Sequence, residues 1–229
     1  MIYTTQLSKP WRTCLPRDAR RGRAGRRVSY MVLNAKHLFA KRNDGTKVRE
    51  LGELLQKCRW PDLVMVTELS GASGHFDVRK KLGACPGILR EYKVVYSQRS
   101  VDLAGGPPNT RCQVGGGVAL FVHKRLGVVV SQMPTAVSEE DKPFLDGHLR
   151  VWRLDPQPAA VRRSVSLRVP LIVTAAYIPP VDASGWGHRT RRMLFDAIER
   201  SDEAIRDLRR VQDVCPITMA HINAPWGGC

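Results

Sequence analysis

Three things are scarce or missing in this 229-residue sequence, and each absence narrows the possibilities. Its six cysteines are widely scattered, at positions 14, 58, 85, 112, 215 and 229, and no two have the C-x-x-C spacing. A zinc site or a disulfide scaffold is therefore not expected, and reduced thiols in an intracellular protein fit best. No run approaches the roughly 18 apolar residues of a membrane span, so no membrane association is expected.

Acidic residues are the third scarcity. The chain has 21 Asp and Glu against 37 Lys and Arg, which gives a formal net charge of +16. A surface this basic favours a polyanionic partner, and nucleic acid, DNA above all, is the usual one. The alternative is a basic tail combined with a general bias toward arginine. The length and the hydrophobic content of 43% suit one soluble domain with a sizeable core.

The first 27 residues differ in composition from the rest, with eight basic residues and a single acid, Asp18. They lack the apolar stretch of a secretory signal. We expect residues 1–27 to form a disordered basic arm that contacts phosphates when nucleic acid binds. An organelle transit peptide or a nuclear localisation patch remains an alternative interpretation of the same composition.

Two apolar runs end in polar residues with a helical pattern between them. Residues 28–33 lead to Asn34, residues 62–67 lead to Glu68, and residues 46–58 have apolar positions at helical spacing. A βαβ unit of this kind places both polar residues at the same edge of a sheet, where open α/β folds carry their chemistry.

The second half of the chain repeats this arrangement. A strong strand pattern over 171–178 carries Tyr177 near its end, a basic helix is predicted over 188–210, and a strand follows from 214. That last strand delivers His221 and Asn223, which share a face because strand side chains alternate. The arginines of the helix are expected to form first a solvated face and only then a phosphate contact.

Two further patterns complete the prediction of strands. Residues 115–117 are three glycines that resemble a phosphate-binding loop, but a strand follows them, whereas such a loop needs a helix N-terminus. We interpret them as glycines that let the strand approach its neighbour closely. Residues 91–97, 128–131, 149–154 and 164–169 are further candidate strands.

Five motifs in order resemble those of the endonuclease/exonuclease/phosphatase superfamily. They are residues 33–34 (LN), 61–68 (PDLVMVTE), 115–122 (GGGVALFV), 177–180 (YIPP) and 217–224 (ITMAHINA). In its basic charge and in residues 223–226 (NAPW), the sequence is most similar to endonuclease domains of LINE-type (non-LTR) retrotransposons. Abasic-site endonucleases are the nearest other branch. The resemblance implies an α/β, four-layer sandwich of two mixed β-sheets flanked by helices, over residues 28–229 and incomplete at the C-terminus.

The resemblance also implies roles for individual residues. Glu68 matches the carboxylate that anchors a divalent metal, Mg²⁺ or Mn²⁺, and such hard cations prefer oxygen ligands. Asn34 matches an asparagine that supports the metal site and the phosphate. Tyr177 matches a tyrosine that orients the phosphate through its hydroxyl, and Asn223 matches an asparagine that holds a phosphate oxygen.

Two departures from the family pattern bear on activity. His221 stands where the family has an aspartate that positions or activates water; histidine is able to act as a base but brings no negative charge. The family's terminal Asp-His pair has no counterpart, so the sequence is interpreted as a degenerate and truncated relative.

The resulting hypothesis is a metal-dependent endonuclease that acts on DNA, with weak or lost activity, and with an intracellular, nuclear localisation. The alternatives are a catalytically inactive nucleic-acid-binding remnant, a phosphatase of small phosphate esters from the same superfamily, and a chain that does not fold stably. No stable protein partner is implied.

Overall fold

The computed structural model describes residues 28–35, 38–39, 45–69, 72, 74–98, 117–135, 145, 147–157, 167, 169–178 and 186–222. Their helices and strands follow one another in the order β1 (Tyr30–Asn34), α1 (Thr46–Lys57), β2 (Leu63–Thr67), α2 (His75–Leu82), α3 (Pro86–Glu91), β3 (Tyr92–Gln98), β4 (Gly117–His123), a 3-10 turn (Lys124–Leu126), β5 (Val128–Met133), β6 (Leu149–Pro156), β7 (Leu171–Ile178), α4 (Trp186–Val211) and β8 (Cys215–Ile222). The basic arm at 1–27 and Asn223 lie outside these described residues.

The strands form two mixed sheets of four strands each. The first has the order β1-β2-β4-β3 and the second the order β5-β6-β7-β8. In the first sheet β1 and β2 are parallel and the other neighbours are antiparallel, and in the second sheet only β7 and β8 are parallel. The expected α/β architecture of two mixed sheets flanked by helices is thereby confirmed.

Alternation along the strands creates the layers. In β2, Leu63 and Met65 join an apolar cluster that also holds Trp152 and Val173 of the second sheet. The intervening Val64 and Val66 pack instead with residues of α1, α2 and α3. Because β2 is buried on both faces, its sequence is a continuous apolar run instead of an alternating one.

Helices cover the outer face of each sheet. α1 buries Val48, Leu51 and Leu55 at helical spacing against the first sheet. α4 buries Leu194, Ala197 and Ile205 against the second sheet. Its arginines at 192, 200, 206, 209 and 210 are exposed, as expected for a solvated face. None of the described helices combines the length and apolar character needed to cross a bilayer.

Two predictions about strands have opposite outcomes. Gly117 pairs with Gln98, and a Cβ atom at Gly117 would collide with the carbonyl oxygen of Ser97, so close approach is confirmed at this glycine. The predicted strand over 164–169 is wrong where it is described, because Leu167 and Val169 lie outside any strand. Leu167 instead packs into the core between the sheets, and Pro170, which lacks an N–H, follows directly.

Candidate active site

Four strand ends deliver side chains to one edge of the sandwich, between the two sheets. Tyr30 and Val32 of β1 pack toward the inter-sheet core, so the alternation places Asn34 on that side too. Thr67, the register partner of Asn34, is followed directly by Glu68. Tyr177 and His221 are register partners at the carboxyl ends of the parallel strands β7 and β8.

Glu68 lies at the centre of this group. Its Oε1 accepts a hydrogen bond of 2.9 Å from Nδ2 of Asn34 and one of 2.7 Å from the hydroxyl of Tyr177. The donors come from β1 and β7, in different sheets and 34 and 109 residues away in sequence. The half-buried carboxylate therefore joins the two sheets at this edge.

The backbone of Glu68 adopts a conformation that non-glycine residues rarely take. Its φ angle is +57°, in the left-handed region, at the residue that follows β2. Backbone conformations of this kind cost on the order of 1–3 kcal/mol and concentrate at functional sites. The hydrogen bonds from Asn34 and Tyr177 hold the carboxylate in place despite this cost.

His221 completes the group through Asn34. Its Nε2 lies 3.1 Å from Nδ2 of Asn34, which also donates to Glu68. An amide nitrogen only donates, so Nε2 of His221 accepts in this arrangement and the ring proton lies on Nδ1. Both amide hydrogens of Asn34 are thus used, one by Glu68 and one by His221. The imidazole lone pair at Nε2 is engaged by Asn34, and proton abstraction at Nε2 would first require that bond to break.

Three aromatic rings stack in a row: His148 just before β6, Tyr177 of β7 and His221 of β8. Tyr177 is nearly parallel to His221, with ring centroids 6.0 Å apart and an interplanar angle of 2°. On its other side lies His148, at 5.5 Å and 13°. Nδ1 of His148 is 3.2 Å from the carbonyl oxygen of Tyr177, and the backbone N–H of Tyr177 donates to the carbonyl of His148. The two imidazoles therefore hold the Tyr177 ring from both sides, in the orientation in which its hydroxyl donates to Glu68.

The structure brings together four of the five residues that the sequence analysis proposed, namely Asn34, Glu68, Tyr177 and His221. Asn223 lies outside the described residues. Sequence reasoning missed His148, which is 1% exposed and immediately precedes β6. The only local signal is its position just before an apolar strand, and its partner Tyr177 is 29 residues away in sequence.

The donor set suits a hard cation that is held mainly by one carboxylate. Among the described residues, no group of three or more His, Cys, Asp and Glu side chains is placed to hold a metal. Mg²⁺ commonly uses one or two carboxylates, several waters and oxygens of a substrate phosphate. Glu68, backed by an amide and a phenol, fits a ligand set of that kind better than a cage formed by protein alone.

Taken together, the described residues form an α/β sandwich. Its polar site lies between the two sheets, at the carboxyl ends of the parallel strand pairs β1/β2 and β7/β8. No family model matches the chain, and no curated protein matches it. Among solved structures, the chain is similar to the human Nocturnin catalytic domain with bound sulfate anion, at 13% identity and a TM-score of 0.48, over 86% of this chain and 64% of that one. It is also similar to TDP2 from C. elegans, at 15% identity and a TM-score of 0.43, over 80% and 43% of the chains.

A third similar structure is the endonuclease/exonuclease/phosphatase from Beutenbergia cavernae DSM 12333. The identity is 17% and the TM-score 0.40, over 73% of this chain and 42% of that one. The chain thus spans less than half of the C. elegans and B. cavernae proteins.

Proposed function

We propose that the chain is a metal-dependent phosphodiesterase of the endonuclease/exonuclease/phosphatase superfamily, and within it an endonuclease of the LINE retrotransposon type that acts on DNA. The observation that carries this proposal is the convergence of Asn34 and Tyr177 on the carboxylate of Glu68. The three residues were singled out by family motifs far apart in the sequence, and the fold places them in hydrogen-bonding contact. A chance resemblance of separate motifs gives no reason for such contact.

Glu68 would hold the metal, Mg²⁺ or Mn²⁺. When bound, such an ion polarises a phosphate and stabilises the leaving oxygen. Tyr177 keeps its hydroxyl on Glu68 and so fixes the direction of the carboxylate. Asn34 does the same from the other sheet, and in doing so uses both of its amide hydrogens. Asn34 would have to release one of these bonds to donate to a substrate phosphate.

His221 supports the proposal that activity is weak. It stands where the resemblance places an aspartate, and its Nε2 already accepts from Asn34. Losing a positioned acid or base typically costs a factor of roughly 10² to 10⁴ in rate. A catalytically inactive nucleic-acid-binding protein is therefore the second candidate, and the Asn34–His221 hydrogen bond is the observation that favours it.

Nucleic acid is the substrate class that the net charge of +16 supports. Intracellular, nuclear localisation belongs to the same proposal, and microscopy of the tagged chain would test it. The phosphatase alternative predicts turnover of small phosphate esters that changes little with salt. Binding of nucleic acid instead weakens steeply as salt rises, in proportion to the phosphates contacted.

The test is nicking of supercoiled plasmid by the purified chain, with magnesium and with chelator. We expect slow, metal-dependent nicking that Glu68→Gln abolishes, because glutamine keeps the size of the side chain but lacks the charge that holds the cation. Glu53→Gln is the matched control, since Glu53 is exposed on α1. Equal nicking by the parent and Glu68→Gln would mean that the activity is a contaminant, and would contradict the proposal.

His221→Asp separates the two candidates. An aspartate is able to accept from Asn34 and restores a negative charge next to Glu68, so we expect faster nicking than in the parent. If neither the parent nor His221→Asp nicks DNA although both unfold cooperatively and bind it, the endonuclease proposal is wrong. The inactive nucleic-acid-binding protein would then be the function supported.

A further inference from the structure

The helix α2 presents an aromatic ring and two cations on one exposed face. Phe76, Arg79 and Lys80 are all exposed, and they share a face because they are three and four residues apart. Phe76 is 81% exposed. The opposite face of the helix buries Val78 and Leu82 in the core. The ring of Phe76 is therefore accessible to a partner on which it could stack, beside two cations on the same helix face.

The two cations of this face differ from the lysine that follows them. Lys81, their neighbour, forms a 2.8 Å ion pair with Asp77 one turn earlier. Arg79 and Lys80 form no ion pair with any other residue that the structure describes. Their charges therefore face solvent beside the ring of Phe76. Together, the three side chains form what we call the α2 face: Phe76, Arg79 and Lys80.

The α2 face lies close to the candidate active site along the chain. α2 begins seven residues after Glu68, and Leu69 and Ala72, which lie between them in sequence, are buried in the core. Seven residues span at most about 24 Å when fully extended. That length corresponds to about seven nucleotides of duplex rise, so the start of α2 lies no farther than this from Glu68.

We propose that the α2 face binds an unpaired nucleic-acid segment that flanks the phosphodiester held at Glu68. Phe76 stacks on a base, and Arg79 and Lys80 neutralise neighbouring phosphates. This inference rests on the proposed function, since it names the form of nucleic acid that the site accepts. An anionic membrane is the less suitable partner, because helices that lie on membranes have a broad apolar face and this one has a single ring.

The experiment measures binding of a labelled single strand of about 12 nucleotides, and of the same sequence as a duplex, with chelator present so that nothing is cleaved. We expect Phe76→Ala to weaken binding of the single strand about 5- to 100-fold. Binding of the duplex should stay within about twofold, because its bases are already stacked. Phe195→Ala is the matched control, since Phe195 is exposed on α4; it should leave both affinities unchanged.

The two cations are tested through the salt dependence of the same binding. Arg79→Gln together with Lys80→Gln should lower the slope of log K against log salt by about 1.4 for the single strand. Lys57→Gln together with Arg59→Gln removes the same charge from exposed positions at and just after the end of α1 and should leave the slope unchanged. Because all these residues are exposed, the unfolding midpoint should be unchanged in every variant.

Several results would overturn the inference. Phe76→Ala would bind the single strand as tightly as Phe195→Ala does, or it would lose affinity equally for single strand and duplex. The parent would fail to bind the single strand at all. Phe76→Ala would lose binding to phosphatidylserine vesicles while its binding of the single strand stays unchanged. The proposed function fails separately. A parent that binds the single strand through the α2 face but never cleaves DNA contradicts only the endonuclease, and cleavage with normal binding by Phe76→Ala contradicts only the α2 face.

Discussion

Tyr177 shows how one atom is positioned by contacts from several strands. Its ring is stacked between His148 and His221, and its hydroxyl donates to Glu68 at 2.7 Å. A hydrogen bond to a charged acceptor contributes about 1.5–3 kcal/mol, and partial exposure to water reduces that value. Tyr177→Phe keeps the stacked ring and removes only the hydroxyl. We expect it to lower the free energy of unfolding by about 1 kcal/mol, measured by urea denaturation.

The control for this change is Tyr30→Phe. Tyr30 is a half-buried tyrosine of β1 in the same inter-sheet cluster, so its hydroxyl is removed in a similar environment without touching Glu68. Equal losses of stability in the two variants would contradict the claim that the Tyr177 hydroxyl is held by Glu68.

At the scale of elements, the buried carboxylate of Asp62 connects the segments before β1, before β2 and after β4 through hydrogen bonds. It lies at the end of the first sheet that is opposite the site. Asp62, just before β2, accepts hydrogen bonds from the backbone N–H and the hydroxyl of Ser29, both at 2.9 Å, and from Nε of Arg125 at 2.8 Å. Burial raises the pKa of Asp62, but the hydrogen bonds from Ser29 and Arg125 outweigh it and hold that pKa below its usual range. The ionised form is therefore favoured by folding.

The direction of this pKa shift sets the pH dependence. Because the folded pKa of Asp62 lies below the unfolded value of about 3.9, its contribution is complete well above pH 4 and is lost as the pH falls through the folded pKa. We expect Asp62→Asn to lower the free energy of unfolding at pH 7 by about 1–3 kcal/mol. The difference from the parent should shrink below about pH 4. Urea denaturation across the pH range checks this, with Glu53→Gln as the exposed control; a difference independent of pH would contradict it.

The approach of β4 to β3 depends on a glycine. A Cβ atom at Gly117 would collide with the carbonyl oxygen of Ser97. We expect Gly117→Ala to cost about 1–3 kcal/mol of stability, because the backbone of one strand has to move. Gly87→Ala in α3 is the contrasting variant, since its Cβ would meet the ring of Trp60 at an ordinary 3.5 Å. Urea denaturation should show no loss for Gly87→Ala, and equal effects at the two glycines would contradict the close approach.

The elements also show what a sequence pattern reveals and what it does not. Asn34, Tyr177 and His221 were predictable, because each lies at the end of an apolar run and strand alternation fixes its face. The position of Glu68 directly after an apolar run was predictable too, but alternation alone would place it on the outer side with Val64 and Val66. α2 was not predictable, because it buries only Val78 and Leu82 and so shows too little periodicity.

Other features of the site depend on contacts between distant residues. The stack of His148 on Tyr177 joins residues 29 apart in sequence, and the carboxylate of Glu68, which follows a left-handed backbone, accepts from donors in both sheets. No local pattern of apolar residues, turns or charges encodes either feature. They follow only once the register of the strands and the packing of the two sheets are known.

At the scale of the whole molecule, the unequal charge suggests a division between a folded core and a basic arm. Residues 1–27 carry eight basic residues and one acid. We expect deletion of residues 1–27 to leave cooperative unfolding and its midpoint unchanged, and to lower the salt slope of nucleic-acid binding by up to about 0.7 for each phosphate that the arm contacts on a single strand.

Affinities of the deleted and full-length chains should therefore differ most at low salt and converge as salt rises, because the released counterions provide the difference. Titrations of a labelled oligonucleotide at several salt concentrations, with calorimetric unfolding beside them, measure both quantities. Parallel salt slopes would show that the arm makes no phosphate contacts. A lost or broadened unfolding transition would show instead that the arm packs on the core, since removal of a disordered segment leaves the buried area unchanged.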